Sequence, residues 1–247
     1  MKHKSFVILM LSLLLGSLTA SAEKSMSHRF NEAQKAYLSK EYKQAISLYT
    51  EIEQAGFKLP EVNYNLGNAY FKTGNLPEAV LHYRKAWYAA PRDADIQTNL
   101  KFTLNAAGAA YPSPSIMDHF FSPLSKSEWG KIALGAYVSI FIFLVLAQLI
   151  RPARSLLRKI SLLPLLLLFV AAGGWFYWHQ YTTHPEAVIV TTDATTRYTP
   201  VDGSTAHFRI PFAAIVRIQR ANNEWVRVEY NHEVDWLKRK HIKTILP

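Results

Sequence analysis

PEVNYNLGNAYFKTGNLPEAVLHYRKAWYAAP, residues Pro60 to Pro91, decides how the amino-terminal half of this 247-residue chain folds. Leu66, Gly67 and Tyr70 fall on a first helix, Gly74 opens a turn, and Ala79, Tyr83 and Ala86 stripe a second helix. Gly67 and Ala79 are small where two antiparallel helices must approach closely, and Tyr70 and Tyr83 fill the space beside them. Pro91 closes the unit, since proline cannot continue a helix.

This is the length and pattern of a tetratricopeptide repeat, a helix–turn–helix unit of about 34 residues that binds other proteins. A backward shift by one repeat length takes Ala79 to Ala45, Tyr83 to Tyr49, Ala86 to Ile52 and Leu76 to Tyr42. Gly67 goes to Ala33, and Tyr70 to Ala36 with Tyr37 beside it; Gly74 goes to Lys40, a departure at the turn. Two repeats are expected, at 26–59 and 60–93, within an all-α unit spanning 23–110. Asp93 is expected to cap one further helix through Asn105, with Ile96, Leu100 and Leu104 covering the apolar edge of the second repeat. By repeat geometry the first helix of each unit lines a concave groove, which points to Phe30, Gln34, Tyr37, Tyr64, Asn68 and Phe71 as partner-binding residues. The same aromatics could instead pack one repeat against the next.

At the amino terminus, Lys2 and Lys4 precede an apolar run from Phe6 to Leu15 and the small-residue site Ala20-Ser21-Ala22. This is the pattern of a secretory signal, residues 1–22, cleaved after Ala22. Ile132–Ile150 and Ile160–Trp178 are 19-residue apolar segments. Such a helix rises about 28 Å, close to the hydrocarbon thickness of a bilayer. Transmembrane helices are expected at 129–150 and 160–181, joined by a basic loop, 151–159, that carries Arg151, Arg154, Arg158 and Lys159 and no acid. The positive-inside rule assigns that loop to the cytoplasm. The repeats and the carboxy-terminal part then lie outside, which predicts a bacterial inner-membrane protein with both domains periplasmic. Trp129 at one end, and Trp175, Tyr177, Trp178 and Tyr181 at the other, suit the outer interface.

The net charge of +10 mostly reports this topology. The loop holds +4 and the signal +2, while 23–110 (11 basic, 9 acidic) and 185–247 (9 basic, 7 acidic) are each only +2. That is no nucleic-acid footprint, which needs clustered charge. The absence of cysteine excludes disulfides, thiolate metal sites and cysteine nucleophiles. The sequence has no phosphate-cradling glycine loop, no His-Glu-x-x-His helix and no glycine-flanked serine elbow. His179 and His184 have no carboxylate close in sequence, and Asp93 and Asp95 suit helix capping. No catalytic residue, metal site or cofactor is therefore expected.

Residues 111–128, with Pro112, Pro114 and Pro123, read as a linker whose Ile116, Phe120, Phe121 and Leu124 could dip into the lipid interface. Over 185–247 the period becomes alternating, with short strands in FAAIVRIQ, EWVRVEY and VDWLKRKHI and turn signals at Asp202-Gly203 and Asn222-Asn223. About 60 residues in five or so strands favour a small all-β barrel. Asn223–Val228, Val234–Leu237 and the loop Tyr198-Thr199-Pro200 resemble a bacterial SH3-like domain, with Asp235 where that family has glycine. The resemblance implies an aromatic groove for peptides or cell-wall fragments, lined by Tyr198, Trp225, Tyr230 and Trp236. Tryptophans in so small a barrel also serve as core.

The order of signal, repeat pair, two spans around a basic turn and SH3-like tail resembles the BatE family of the bacterial aerotolerance (Bat) operon. YNLGNAYFKTGNLPEAVLHYRKA followed by PRDADIQTNL carries most of that likeness. It implies an inner-membrane scaffold or assembly protein working beside von Willebrand factor A-type Bat proteins and a MoxR-type ATPase. The alternative is an envelope sensor or cell-wall-binding protein that uses its SH3-like domain on peptidoglycan.

Overall fold

The structure, a computed structural model, describes residues 25–56, 59–112 and 114–245, so the segment expected to be a signal lies outside the described residues. Helices α1 (25–38) and α2 (Tyr42–Gln54) form one hairpin, α3 (Pro60–Lys72) and α4 (Leu76–Ala89) the next, and α5 (Ala94–Ala106) follows. Their boundaries have local causes. Pro60 starts α3, where its missing N–H would have no helical partner anyway. Asn75 caps α4 by accepting from the Glu78 N–H, and Asp93 caps α5 by accepting from the N–H groups of Asp95 and Ile96.

The two turns inside the hairpins match bond for bond. Gly74 (φ +77°) lies between the contacts Asn75 N–H to Tyr70 O (3.0 Å) and Gly74 N–H to Phe71 O (3.0 Å). Lys40 (φ +64°) repeats them with Glu41 to Ala36 (2.9 Å) and Lys40 to Tyr37 (3.0 Å). The sequence departure at Lys40 thus changes the residue and leaves the turn intact. A third copy follows: Gly108 (φ +71°), with Ala109 to Leu104 (2.9 Å) and Gly108 to Asn105 (3.0 Å). Helix α5 begins and ends one repeat length after α3, so the helix expected to cover the edge of the second repeat lies in the register of a repeat's first helix.

Next come α6 (Ile116–Phe121), α7 (Lys126–Leu149), α8 (Arg154–Ile160) and α9 (Leu162–Thr183). The segment expected to be linker therefore contains a helix. The prolines fall outside α6, and Ser115 with Asp118 forms the capping box that starts it. A second capping box, Ser125 with Glu128, starts α7. The expected basic loop is also largely helical, because Pro152 sits in a short 3-10 turn (Arg151–Ala153) and leaves 154–160 free to coil as α8. Helices α7 and α9 pack together; α7 and the run from Arg151 to Thr183 are each long and apolar enough to cross a membrane.

The tail is one antiparallel sheet of strands β1 (Glu186–Ile189), β2 (Thr195–Arg197), β3 (Ala206–Arg209), β4 (Ile215–Ala221), β5 (Trp225–Tyr230), β6 (Glu233–Lys238) and β7 (Ile242–Thr244). Their order is β3-β2-β6-β5-β4-β1-β7. The sequence led to a small barrel; the strands do form an antiparallel sheet, but it does not close on itself. The three residues of β7 are all used on β1, which leaves β3 and β7 as open edges. Asn222 makes the β4–β5 turn by accepting from the Glu224 and Trp225 N–H groups. Asn231 (φ +50°) and His232 (φ +69°) make a tight two-residue β5–β6 turn that the sequence signals did not flag. All four residues of β1 are buried, which only a strand covered on both faces shows. Helix α4 supplies the second cover.

Candidate partner-binding groove

Helices α1, α3 and α5 are the first helices of successive units, with α2 and α4 behind them. Lys85 of α4 donates to Glu53 Oε1 of α2 at 2.8 Å. Asn68 is the hub of the front row: its Oδ1 accepts from Tyr83 OH (2.6 Å) and from Asn99 Nδ2 (3.2 Å). Asn99 also donates to Tyr64 OH (3.0 Å), and Phe71 meets Phe102 with ring centroids 5.5 Å apart. Burial, with Tyr64 and Tyr37 nearby, pushes the Tyr83 hydroxyl well above its usual pKa, so it remains a donor to Asn68. Tyr64, Asn68 and Phe71 are thus brought together, and part of their capacity goes into holding α5 on α3. In the first repeat, Phe30 packs edge-on against Tyr49 (5.6 Å) and Tyr37 against Tyr42 (5.4 Å), while Gln34 is exposed.

Sequence reasoning missed Asn99 and Phe102. Phe102 stands one repeat length after Asn68 and two after Gln34, so the three form one row across the groove. One more step of the repeat would have found it. Phe102 is 60% exposed and Leu38 74% exposed, large apolar side chains left in the open on otherwise well-packed helices.

Residues 60–92 match the family model for the tetratricopeptide repeat. The chain carries a tetratricopeptide repeat. Comparison with curated proteins returns no match. The structure extends the repeat architecture to α1–α2 on one side and α5 on the other.

The back of the tetratricopeptide unit is occupied. Arg84 of α4 donates from Nε to Glu186 Oε2 (2.7 Å) and from Nη2 to Oε1 (2.9 Å), and Tyr88 OH donates to the same Oε2 (2.8 Å). The guanidinium also lies 3.9 Å from the Trp87 ring centroid. Trp87 and Tyr88 pack in turn on Trp178 and Tyr181 at the end of α9. Trp178 Nε1 donates to Leu124 O (2.7 Å) and Trp129 Nε1 to Phe121 O (3.0 Å), which ties the start of α7 into the cluster. Burial alone would lower Arg84 and raise Glu186, but each reverses the effect on the other. Arg84 stays well above its ordinary pKa and Glu186 below the usual carboxylate range. Burial and the Glu186 carboxylate push the Tyr88 hydroxyl well up. Repeat, apolar hairpin and sheet thereby share one buried, fully hydrogen-bonded junction.

The four aromatic residues expected to line a tail groove do not converge on one surface. Trp225 pairs with Lys238 and Arg227 with Trp236, so alternation puts Trp225 and Trp236 on one face of the sheet. Trp225 is buried and Trp236 half-buried. Tyr230 points with Val228 to the other face and packs on the core. Tyr198 is exposed and stacks on His207 (4.5 Å), which bonds Asp235 at 2.5 Å.

Proposed function

We propose that the protein is a membrane-anchored scaffold whose tetratricopeptide groove holds a partner protein, without catalysing a reaction. The observation that carries this reading is the asymmetry of the repeat unit. Its back is fixed by the Arg84–Glu186 junction, and its front presents Gln34, Leu38 and Phe102 to solvent. Anchoring is supported by the spacing of two belts. From Trp129 to Ile150 the α7 side rises about 30 Å, with aromatic residues at one end and four basic residues at the other. The resemblance to the BatE family supports an inner-membrane location with both domains periplasmic. It also supports von Willebrand factor A-type Bat proteins with a MoxR-type ATPase as the partner class.

Pulldown from detergent extract tests the groove. Phe102→Ala combined with Gln34→Ala should reduce partner recovery at least tenfold while the helical circular dichroism is retained, the melting temperature falling only by the loss of the Phe71–Phe102 contact. Unchanged recovery by the folded variant would refute the groove. These residues are a cleaner choice than Asn68, whose loss would also strand Tyr83 and Asn99. The exposed Tyr198–His207 stack favours a second reading, an SH3-like tail that binds peptidoglycan. Sedimentation with isolated peptidoglycan, lost in Tyr198→Ala, would support it, and no sedimentation of the wild type would end it.

A further inference from the structure

The foot of the apolar hairpin carries a feature that partner binding does not use. Arg151, Arg154, Arg158 and Lys159 are all exposed, and none of them forms an ion pair among the described residues. No acid lies between Glu128 and Glu186, so nothing close in sequence neutralises them. Because 154–160 is helical, the side chains have defined directions. At 100° per residue, Arg154, Arg158 and Lys159 span about 140° of the circumference. Leu156, Leu157 and Ile160 occupy the opposite side. Leu157 and Ile160 are half-buried where α8 packs on α7 and α9, so the cationic side faces away from the hairpin. An irregular loop would scatter these charges, whereas the helix holds three of them on one side, with Leu156 (60% exposed) at the margin of the apolar side.

We infer that this foot is a binding surface for anionic phospholipid headgroups, with the guanidinium groups of Arg154 and Arg158 engaging phosphate and Lys159 adding charge. This rests on the membrane-anchored reading above. Charge complementarity selects the occupant. A concentrated +4, unpaired among the described residues, with an exposed leucine near it matches a negatively charged bilayer surface, and guanidinium forks suit phosphate oxygens. A zwitterionic headgroup layer offers no net attraction to it.

The test uses the full-length protein in two formats. Flotation with phosphatidylcholine vesicles asks about anchoring alone. Native mass spectrometry of detergent-purified protein, supplied with equal phosphatidylglycerol and phosphatidylcholine, asks about the foot, and in micelles membrane orientation plays no part. Wild type should retain phosphatidylglycerol in preference, and the preference should shrink as salt rises. The variant Arg154→Gln, Arg158→Gln, Lys159→Gln should lose roughly fivefold of it per cation removed while floating as wild type does. Equal retention of the two lipids by wild type, or an undiminished preference in the triple variant, overturns the lipid site and leaves anchoring standing. Failure of wild type to float with any vesicle overturns anchoring and the lipid site together.

Discussion

Removing one half of the Arg84–Glu186 pair should cost far more than removing both. Glu186→Ala leaves the Arg84 guanidinium, whose side chain is 6% exposed, without its bidentate acceptor. Breaking a buried pair in this way costs about 3–5 kcal/mol. Arg84→Ala should also be costly, though less so, since Glu186, 5% exposed, would keep the Tyr88 hydroxyl and the nearby positive charge of Arg217. Arg84→Met with Glu186→Leu removes both charges and refills the space, and the expected cost is about 1–2 kcal/mol, the price of an unsatisfied Tyr88 hydroxyl. Urea titration in detergent, followed by tryptophan fluorescence, reads the junction directly, because Trp87 and Trp178 pack against each other there with centroids 5.4 Å apart. Hydrogen exchange should rise in α4 and β1 of the single variants and stay near wild type in the apolar double. Because Glu186 titrates below its ordinary 4.5, the pair's contribution is complete above that pH. It is lost only as pH falls through the lower folded value. Single-variant losses below about 1 kcal/mol, or costs of the two alanine changes that simply add in the Arg84→Ala, Glu186→Ala double variant within about 0.5 kcal/mol, would refute the junction.

Gly67→Ala should destabilise by about 1–3 kcal/mol, since a Cβ there would sit 2.6 Å from Tyr83 Cδ1; thermal melting with unchanged helical circular dichroism checks it. Lys40→Gly should stabilise by about 1 kcal/mol, because it relieves a side-chain-bearing residue at φ +64°, and a higher urea midpoint would show it. His82 should make the repeats acid-sensitive. Burial, aided by Lys85 and Lys243, holds its pKa at about 3; of the two carboxylates 4.0 Å away, Glu53 is engaged by Lys85, while Lys243 takes only Oε1 of Glu78 and leaves the Oε2 facing His82 without a partner among the described residues. Below pH 6.5 the unfolded chain takes up a proton that the folded state resists, so stability should fall as pH drops, by at most about 1.4 kcal/mol per pH unit. His82→Phe keeps a ring against Tyr70 and should flatten that slope in a pH series of melts.

What was legible in the sequence was whatever repeats or alternates. Ala33 and Ala45 occupy buried positions one repeat length before Gly67 and Ala79, and the Asp93 cap and the Ser125–Glu128 box form as their spacing demands. The repeat register of α5 was hidden because its turn residue is a glycine in a different context: Gly108 follows Ala106-Ala107 and resembles linker until it is counted from Gly74. Periodicity put Tyr64, Asn68 and Phe71 on one face of α3, yet what they bond to was set by Asn99 and Phe102, on a helix assigned another role. The tail aromatics were not legible as one surface for a different reason. Alternation assigns a face only once register is known, and one residue separates the face of Trp225 from that of Val226.

The Arg84–Glu186 contact was beyond any pattern, because the partners are 102 residues apart and an acid opening a strand looks like any solvated surface residue. Its existence nonetheless constrains everything between them. Residues 91–185 must leave α4 and return to the same place, which one long apolar helix could not do and an antiparallel pair can. Helix α7 carries the chain away, and α8 with α9 brings it back, ending at Thr183, just before Glu186. Any membrane crossed by α7 and α9 therefore has the repeats and the sheet on one side and the basic foot on the other. The buried ion pair and the positive-inside rule arrive at the same arrangement from unrelated physics: one from desolvation at the junction, the other from charge at the far end.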